Sequence, residues 1–172
     1  MEHYQKISPA LADLRPVKEI GSQWMLITAQ KKDGSINTMT ASWGGVGVLW
    51  GKTVAFCFIR PQRYTLDFTE EAEAFSLSFF GGEKKEALTL CGRASGRDCD
   101  KIALAGLHVA DFEGVPAFLE ATRVLKVKKL YSDVIRPESF LDPALAALHY
   151  KEKDYHVVYV AEILDVFERE NG

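Results

Sequence analysis

The stretch Asn37-Thr38-Met39-Thr40-Ala41-Ser42-Trp43 decides how the chain is arranged, together with Arg60-Pro61-Gln62-Arg63-Tyr64-Thr65, which follows one strand later. The first stretch is expected to form a strand that carries hydroxyl groups beside an aromatic ring. The second stretch follows the apolar strand 54–59 and combines two arginines with a proline turn and a helix start. This pattern predicts a site for a ligand with a flat ring at one end and a phosphate at the other.

The phosphate end of this prediction rests on two physical arguments. Arg60 and Arg63 carry permanently charged guanidinium groups, whose fixed N–H donors suit phosphate oxygens. Thr65 precedes a helix with acidic residues in its first turns, and a helix N-terminus offers unpaired N–H groups to an anion. Spacing alone leaves the alternative open that the arginines are surface charges and that Thr65 is only a helix cap.

A family resemblance rests on three separated motifs that occur in order. They are Asn37-x-Met39-Thr40-x-Ser42-Trp43, Arg60-Pro61-x-Arg63-Tyr64-Thr65 and Cys91-Gly92-x-x-Ser95-Gly96-Arg97-Asp98-x-Asp100-Lys101. Together they resemble the FMN-binding core of the flavin reductase-like, flavoredoxin-type proteins. The resemblance extends over residues 21–167 and ends in a closing strand around Glu162-Ile163. It implies an FMN-binding split barrel, typically a homodimer with the flavin at the subunit boundary.

The resemblance also implies a set of flavin-binding positions. The phosphate would be held by Arg60, Ser42 and Thr65, with Arg63 or Tyr64 as further contacts. The ring and ribityl chain would be bordered by backbone groups of Met39, Thr40, Ala41, Phe58 and Ile59. Trp43 would pack near the ring or across the dimer boundary, or serve as ordinary barrel core. Lys101 is a further candidate contact, and its alternative is an exposed helix lysine.

The start of the last strand departs from the family pattern. Related flavin reductases carry Gly-Asp-His there, a motif linked to nicotinamide binding and hydride transfer, whereas this chain reads Lys153-Asp154-Tyr155-His156. Ala161 stands where a following glycine is expected. The departure weakens the case for an efficient NAD(P)H-dependent reductase and leaves flavoredoxin-like electron carriage open. His156 is retained as a candidate nicotinamide contact, and no metal site is expected from the scattered histidines.

The leading prediction is an FMN-binding oxidoreductase that passes hydride or electrons between NAD(P)H, or a redox partner protein, and flavin. The alternative is a non-catalytic flavin-binding or electron-carrier module without NAD(P)H turnover of its own. A third reading, an interaction protein that has lost its cofactor, is disfavoured because Arg60, Arg63 and Ser42 are all present.

Composition narrows the class of protein. The 172 residues fit a single domain, 1–172, in which 1–20 is expected to be a surface lead-in segment. The net charge of −3 argues against a nucleic-acid partner. The lysines at 126, 128 and 129 alternate with apolar residues and are interpreted as the solvent-facing side of a strand.

The cysteines and the apolar segments indicate the compartment. Cys57, Cys91 and Cys99 are odd in number and lack CxxC spacing, which favours a reducing compartment. The sequence has neither a signal-peptide stretch nor an apolar run long enough for a membrane span, so a cytoplasmic protein is expected. A thiol beside flavin could exchange electrons with it, but Cys57 lies in an apolar strand and is expected to be inert packing.

The remaining segments predict a mainly β fold. Strands are expected at 23–29, at 36–42 after an Asp33-Gly34 hairpin turn, at 74–80 with one buried face, at 118–134 as one long strand bulged near Lys128-Lys129, and at 156–167. Helices are expected at 83–91, at 98–107 and from Pro143. The glycine-rich segment 44–53 is expected to turn beside a ring or another subunit. It is not a P-loop, because Val46 replaces a required glycine. Many strands and few short helices predict a small antiparallel β-barrel with peripheral helices.

Overall fold

The computed structural model describes residues 3–170, and within them the chain forms ten strands and five short α-helices. The strands are β1 (Tyr4–Ile7), β2 (Met25–Gln30), β3 (Ile36–Ala41), β4 (Gly44–Leu49), β5 (Lys52–Ile59), β6 (Ala74–Phe79), β7 (Val109–Asp111), β8 (Pro116–Phe118), β9 (Arg123–Val134) and β10 (Val157–Arg169). The helices are α1 (Pro16–Glu19), α2 (Thr65–Glu71), α3 (Lys85–Arg93), α4 (Lys101–Leu104) and α5 (Pro143–His149), with 3-10 turns at Pro9–Leu11 and Pro137–Ser139.

Eight strands form one antiparallel sheet in the order β3-β2-β6-β9-β10-β5-β4, and β1 pairs with the last residues of β10. The hairpin at Asp33-Gly34 is confirmed: Met25 pairs with Ala41, Gln30 pairs with Ile36, and Gly34 has the positive φ (87°) that the turn requires. The mainly β class predicted from the sequence is confirmed.

The main core lies inside the curved sheet. Six strands, β2, β3, β5, β6, β9 and β10, send buried side chains into one apolar cluster, which is possible only if the sheet curls around it. Phe75 and Tyr159 lie at its centre, with ring centroids 6.1 Å apart. The inner layer therefore fixes how the ends of distant strands approach one another.

A second core covers the outer face of the sheet. Leu88 and Cys91 of α3 pack with Phe118 of the β7–β8 hairpin, together with Leu26 and Val124 from the sheet. Because β6 is covered on both sides, its residues 75–79 are all buried. The expectation of a strand with one buried face is wrong here, because the serines of β6 are buried as fully as its apolar residues.

The expected single strand at 118–134 is two strands. β8 ends at Phe118 and pairs with β7, whereas β9 begins at Arg123 and pairs with β6 and β10. The turn between them contains neither glycine nor proline; it is held by the Thr122 amide, which donates to the Phe79 carbonyl over 2.7 Å. The predicted bulge is confirmed, because the register between β9 and β10 shifts beside Lys129.

The first part of the glycine-rich segment 44–53 forms a strand, β4. β4 forms an edge strand paired with β5, and the chain turns only at Trp50 and Gly51, which have positive φ. Gly45 and Gly47 lie over the Phe56 ring, where a Cβ would come within 3.7 Å of it. The expected turn over the whole segment is therefore wrong.

Two other boundaries differ from the sequence-based expectation. The lead-in segment contains β1, which joins the main sheet, and the helix expected at 98–107 is limited to α4. Asp100 caps α4 by accepting a hydrogen bond from the Ala103 amide, so the helix begins after that residue.

Candidate functional site

A cleft of about 380 Å³ opens where the end of β3 approaches the end of β5. It gathers eight of the twelve predicted flavin-binding residues and also His156. The lining residues are Met39, Thr40, Ala41, Ser42, Trp43, Phe58, Arg60, Gln62, Arg63 and His156. Gln62 was missed by sequence reasoning, although its place between the two arginines was a signal. We call this cavity the flavin cleft, after the ligand that the sequence resemblance implies.

A larger and more open depression of about 570 Å³ lies elsewhere, along residues 131–140 and Val158. Its arginine, Arg136, is bound to Asp133 over 3.1 Å, and none of the predicted site residues lines it. The concentration of the predicted residues therefore favours the flavin cleft as the functional site, in spite of its smaller volume.

Arg60 stands at one end of the flavin cleft with its charge already compensated. It forms an ion pair with Asp154, and its Nη2 donates to the His149 carbonyl over 2.8 Å. Gln62 donates to the same Asp154 carboxylate over 2.7 Å. The hydrogen bond from Gln62, helped by Arg60, holds the pKa of Asp154 below its usual range. Arg60 thus joins the segment before β10 to the turn after β5.

The charge of the Arg63 guanidinium is less well compensated than that of Arg60. Its Nη1 donates to the Gly92 carbonyl over 2.6 Å, and no carboxylate of residues 3–170 forms an ion pair with it. Burial, and then the neighbouring charge of Arg60, lowers the pKa of Arg63. A half-buried guanidinium with a neutral partner is well suited to receive an anion.

Lys101 lies outside the flavin cleft. Only 4% of it is exposed, and its ammonium group donates to the carbonyls of Cys91 and Ala94 over 3.3 and 3.1 Å. It therefore satisfies the C-terminal end of α3, and the alternative of an exposed helix lysine is wrong. Burial, followed by the charge of Arg63, lowers the pKa of Lys101. Its contact with flavin stays a prediction.

Thr65, Tyr64 and Ile59 also do not line the flavin cleft. Thr65 is 1% exposed and accepts a hydrogen bond from the Asn37 amide over 3.0 Å, so it ties β3 to α2. The helix-cap alternative is wrong, because Thr65 is itself the first residue of α2. Tyr64 packs edge-on against Phe68, with ring centroids 4.9 Å apart, and Ile59 belongs to the barrel core.

An aromatic cluster forms the opposite wall. Trp43 is 42% exposed, and its ring centroid lies 5.1 Å from that of His156 and 5.2 Å from that of His149. The barrel-core alternative for Trp43 therefore does not hold. Its exposed indole can contact a ligand in the cleft or a second molecule.

His156 is buried and held by Tyr150, which the sequence did not single out. The Tyr150 hydroxyl lies 2.8 Å from His156 Nδ1, and Tyr150 stacks on Tyr155 with centroids 4.8 Å apart. Burial, and then the nearby Arg60, lowers the pKa of His156 to about 4. Burial raises the pKa of Tyr150. Either group of this pair can be the donor, and a donating phenol requires the imidazole tautomer that carries its proton on Nε2.

The other groups with a redox or metal interpretation lie apart from the flavin cleft. Cys57 is in the barrel core, where burial raises its pKa to about 12, and Cys91 belongs to the outer core. Within residues 3–170, no three His, Cys, Asp or Glu side chains gather in a way that could hold a metal ion. The same part of the chain has no helix with the length and apolar character needed to cross a membrane.

Comparison with family models and with proteins of curated function gives one match. The family model described as "Flavin reductase like domain" matches residues 17–172. None of the proteins of curated function matches the sequence.

Solved structures share the fold at low sequence identity. Flavoredoxin from Methanosarcina acetivorans has a TM-score of 0.65 and 21% identity, over 86% of this chain and 68% of that one. The FMN-binding domain of a flavin reductases-like enzyme from Shewanella baltica has a TM-score of 0.67 and 15% identity, over 96% and 77%. The styrene monooxygenase flavin reductase from Pseudomonas putida has a TM-score of 0.64 and 11% identity, over 87% and 80%.

The family match covers most of the chain, and the predicted resemblance to the flavin reductase-like, flavoredoxin-type split-barrel proteins is confirmed. The chain therefore belongs to the flavin reductase-like domain family.

Proposed function

We propose that the flavin cleft binds FMN. The observation that carries this proposal is that three sequence-distant segments, 39–43, 58–63 and His156, meet in one cavity. One wall is the end of β3, whose backbone groups can bond to a planar heterocycle. Facing it are aromatic rings and two guanidinium groups, which suit the ring and the phosphate of a flavin nucleotide.

The proposed activity is that of an oxidoreductase. The flavin supplies the hydride or electron transfer, and the protein supplies binding, orientation and control of water. Trp43 and the neutral imidazole of His156 line the cleft, so the positive charge there comes from the arginines and not from the histidine. Arg60, tied to Asp154, keeps the turn after β5 in place beside them.

Flavin binding is tested by fluorescence titration of the purified protein. We expect FMN fluorescence to be quenched with saturation at one flavin per chain, and Trp43→Ala to weaken the quenching because the indole is removed from the cleft mouth. A surface control is Val17→Ala, which replaces an exposed residue of α1. Absence of binding to FMN, FAD and riboflavin alike would overturn the proposal.

Use of NAD(P)H separates the leading function from the alternative, an electron carrier without turnover of its own. Asp154 and His156 keep two positions of the family motif, but Asp154 is bound to Arg60 and Gln62 rather than free. Anaerobic mixing of the flavin-loaded protein with NADH and NADPH tests this difference. A rapid loss of flavin absorbance with NADH or NADPH, slowed by His156→Asn, would support the reductase. If neither nucleotide reduces the flavin, a carrier that is reduced by a partner protein is favoured.

We also propose that the chain works as a homodimer. Trp43 is partly exposed in the flavin cleft, and several large apolar residues are exposed on β4 and the turn after it, on β9 and on α5. Those residues include Val48, Trp50, Tyr131, Val134 and Leu148. A monomeric mass in sedimentation equilibrium, with flavin bound, would refute the dimer.

The remaining proposals concern organisation and compartment. The chain is proposed to act as one flavin-binding domain, since the family model spans residues 17–172. Three free cysteines favour a cytoplasmic location, where thiols stay reduced. Fractionation of the producing cells tests the location directly.

A further inference from the structure

A second polar cavity lies between β9 and the C-terminal end of α2. It has a volume of about 360 Å³ and shares no lining residue with the flavin cleft. The residues that line it are Glu70, Lys129, Leu130, Tyr131, Ser132 and Tyr159. One cation, one carboxylate and two hydrophobic side chains are therefore brought together at one place. We call this space the lysine cavity.

The β-bulge of β9 turns Lys129 toward the lysine cavity. The extra residue of the bulge is Leu130, because Lys129 and Tyr131 on either side of it pair with consecutive residues of β10. Lys129 lies opposite Ala161, which belongs to the main core, and directly opposed residues of an antiparallel pair share one face. Its side chain therefore lies on the inner face of the sheet. Lys128, one residue earlier, instead forms an ion pair over 2.6 Å outside the cavity.

The ammonium group of Lys129 keeps one hydrogen-bond donor for a ligand. It donates to the carbonyls of Thr69 and Glu70 over 2.5 and 2.9 Å, and within residues 3–170 no carboxylate forms an ion pair with it. An ammonium group has three N–H donors, so the third has no partner in this part of the chain. Burial lowers the pKa of Lys129, and the neighbouring charge of Glu70 opposes that shift.

Tyr159 forms the floor of the lysine cavity and has an unsatisfied hydroxyl group. The residue is 2% exposed, and none of the described residues forms a hydrogen bond with its hydroxyl. The neighbouring Thr69 hydroxyl already donates to the Leu66 carbonyl over 3.1 Å. The Lys129 ammonium lies 5.6 Å from the centroid of the Tyr159 ring, so both donors are close together. Buried polar groups are normally paired, and this pair of donors suits an acceptor that enters the cavity.

The rim of the lysine cavity supplies the opposite charge. Glu70 is exposed, and its carboxylate forms no ion pair within residues 3–170, although it lines the same cavity as Lys129. Leu130 and Tyr131, which are 36% and 46% exposed, add apolar surface beside it. A ligand that complements all three features has a carboxylate, an ammonium group and an apolar part.

We propose that the lysine cavity binds a free amino acid with an apolar side chain. The carboxylate of the amino acid accepts hydrogen bonds from Lys129 and Tyr159, and its ammonium group pairs with Glu70. Its side chain packs on Leu130 and Tyr131. This ligand site lies apart from the flavin cleft, so the inference goes beyond the proposed function and does not depend on flavin binding.

Calorimetric titration with three matched probes tests the inference. The probes are L-leucine, 4-methylpentanoate, which lacks the amine, and 3-methylbutylamine, which lacks the carboxylate. We expect one L-leucine to bind per chain, and each truncated probe to bind about tenfold more weakly or worse, because one charged contact is lost. Glu70→Gln should remove the preference for L-leucine over 4-methylpentanoate. Lys128→Met, which alters the adjacent lysine outside the cavity, is the matched control.

A second variant separates binding from folding. Tyr159→Phe should weaken L-leucine binding about tenfold, as expected for a lost hydrogen bond to a charged group, and should leave the thermal midpoint unchanged, because the hydroxyl has no partner in the fold. A lower midpoint would show that the fold itself satisfies the hydroxyl, and would overturn the inference.

Three further results would also overturn it. Equal affinity for L-leucine and 4-methylpentanoate would reduce the ligand to a plain carboxylate without a role for Glu70. Loss of L-leucine binding in Trp43→Ala, with binding intact in Tyr159→Phe, would move the ligand to the flavin cleft. Absence of binding heat with all three probes at millimolar concentration would leave the lysine cavity to water.

Discussion

His156 carries a buried imidazole whose partner comes from the segment just before it. Its Nδ1 lies 2.8 Å from the Tyr150 hydroxyl oxygen, and its ring packs against Trp43 in the flavin cleft. A protonated imidazole would add a second cation beside Arg60. The cost of that charge in a buried site explains why the neutral form is favoured.

The stability of the protein should fall in acid because of His156. In the unfolded chain the imidazole binds a proton near pH 6.5, whereas in the native protein it does so only near pH 4. As the pH falls, the unfolded state binds this proton before the native state does. The contribution of neutral His156 to the free energy of unfolding is therefore complete above about pH 6.5 and is lost between that pH and about 4. Its upper bound is about 3 kcal/mol. Urea unfolding across this pH range should show the loss, and His156→Asn should reduce it. Equal slopes for both proteins would contradict the assignment.

Removal of the Tyr150 hydroxyl should remove the hydrogen bond to the His156 imidazole and keep the aromatic packing around it. Tyr150→Phe keeps the ring stacked on Tyr155 but leaves His156 Nδ1 without its hydrogen-bond partner, at a cost of about 1–3 kcal/mol in unfolding free energy. The change in tautomer is a more specific result than the loss of stability. Nitrogen-15 chemical shifts of His156 should indicate an Nε2–H imidazole in the wild type and a tautomer mixture in the variant. Tyr155→Phe provides the matched control.

At the scale of elements, the third sequence motif is explained by how the last turn of α3 and the loop after it pack on β3. Gly92, in α3, lies over Thr40, and Gly96, in the loop, lies so close to Asn37 that an added Cβ would collide with its Oδ1. The Asn37 amide in turn holds Thr65 at the start of α2. The glycines of the motif therefore allow these three elements to meet.

Gly96→Ala should disturb this junction. The new methyl group would displace the Asn37 side chain and break its hydrogen bond to Thr65, with an expected loss of about 1–3 kcal/mol in unfolding free energy. Denaturant unfolding measures the loss, and a weaker affinity for FMN should accompany it. Gly106→Ala is a useful comparison, since its added Cβ would meet no atom within 4 Å but its φ is positive (63°). A larger loss in the comparison variant would contradict a packing origin.

Local signals predicted some elements and missed others for physical reasons. The Asp33-Gly34 turn, the Pro143 helix start and the bulge beside Lys129 each follow from the preferences of residues at the feature itself. The division of 118–134 does not, because its turn is held by a hydrogen bond to Phe79, some forty residues earlier. β4 was missed because its glycines have low strand propensity, and pairing with β5 outweighs that preference.

At the scale of the whole molecule, the two apolar cores decide which groups remain chemically available. Cys57 belongs to the inner core and Cys91 to the outer one, while Cys99 is partly exposed. The fold thus removes two of the three thiols from contact with solvent.

Thiol labelling should reveal this division. In the native protein we expect one thiol, that of Cys99, to react readily with a disulfide reagent, and the other two to react only after the protein opens. Burial raises the pKa of Cys57 to about 12, so its thiolate is scarce at neutral pH. Mass spectrometry of the labelled peptides identifies each site, and Cys99→Ser should abolish the fast phase. Fast labelling of Cys57 in the folded protein would contradict the described core.

The sequence predicted which residues come together better than it predicted the partners of each. Residues 39–43 and Arg60 line one cleft, because these residues lie where strands end. Their binding of flavin stays a prediction. The pairing of Arg60 with Asp154 joins residues 94 positions apart, and only the closed sheet creates it.

The position of β10 has a consequence for biosynthesis. This strand bonds to β1, β5 and β9, so residues 157–169 supply the middle of the sheet although all of its other strands precede them in the chain. Until β10 has been synthesised, β5 and β9 each lack the neighbour that satisfies the backbone groups on one of their edges. Closure of the sheet is therefore a late step in the folding of the nascent chain.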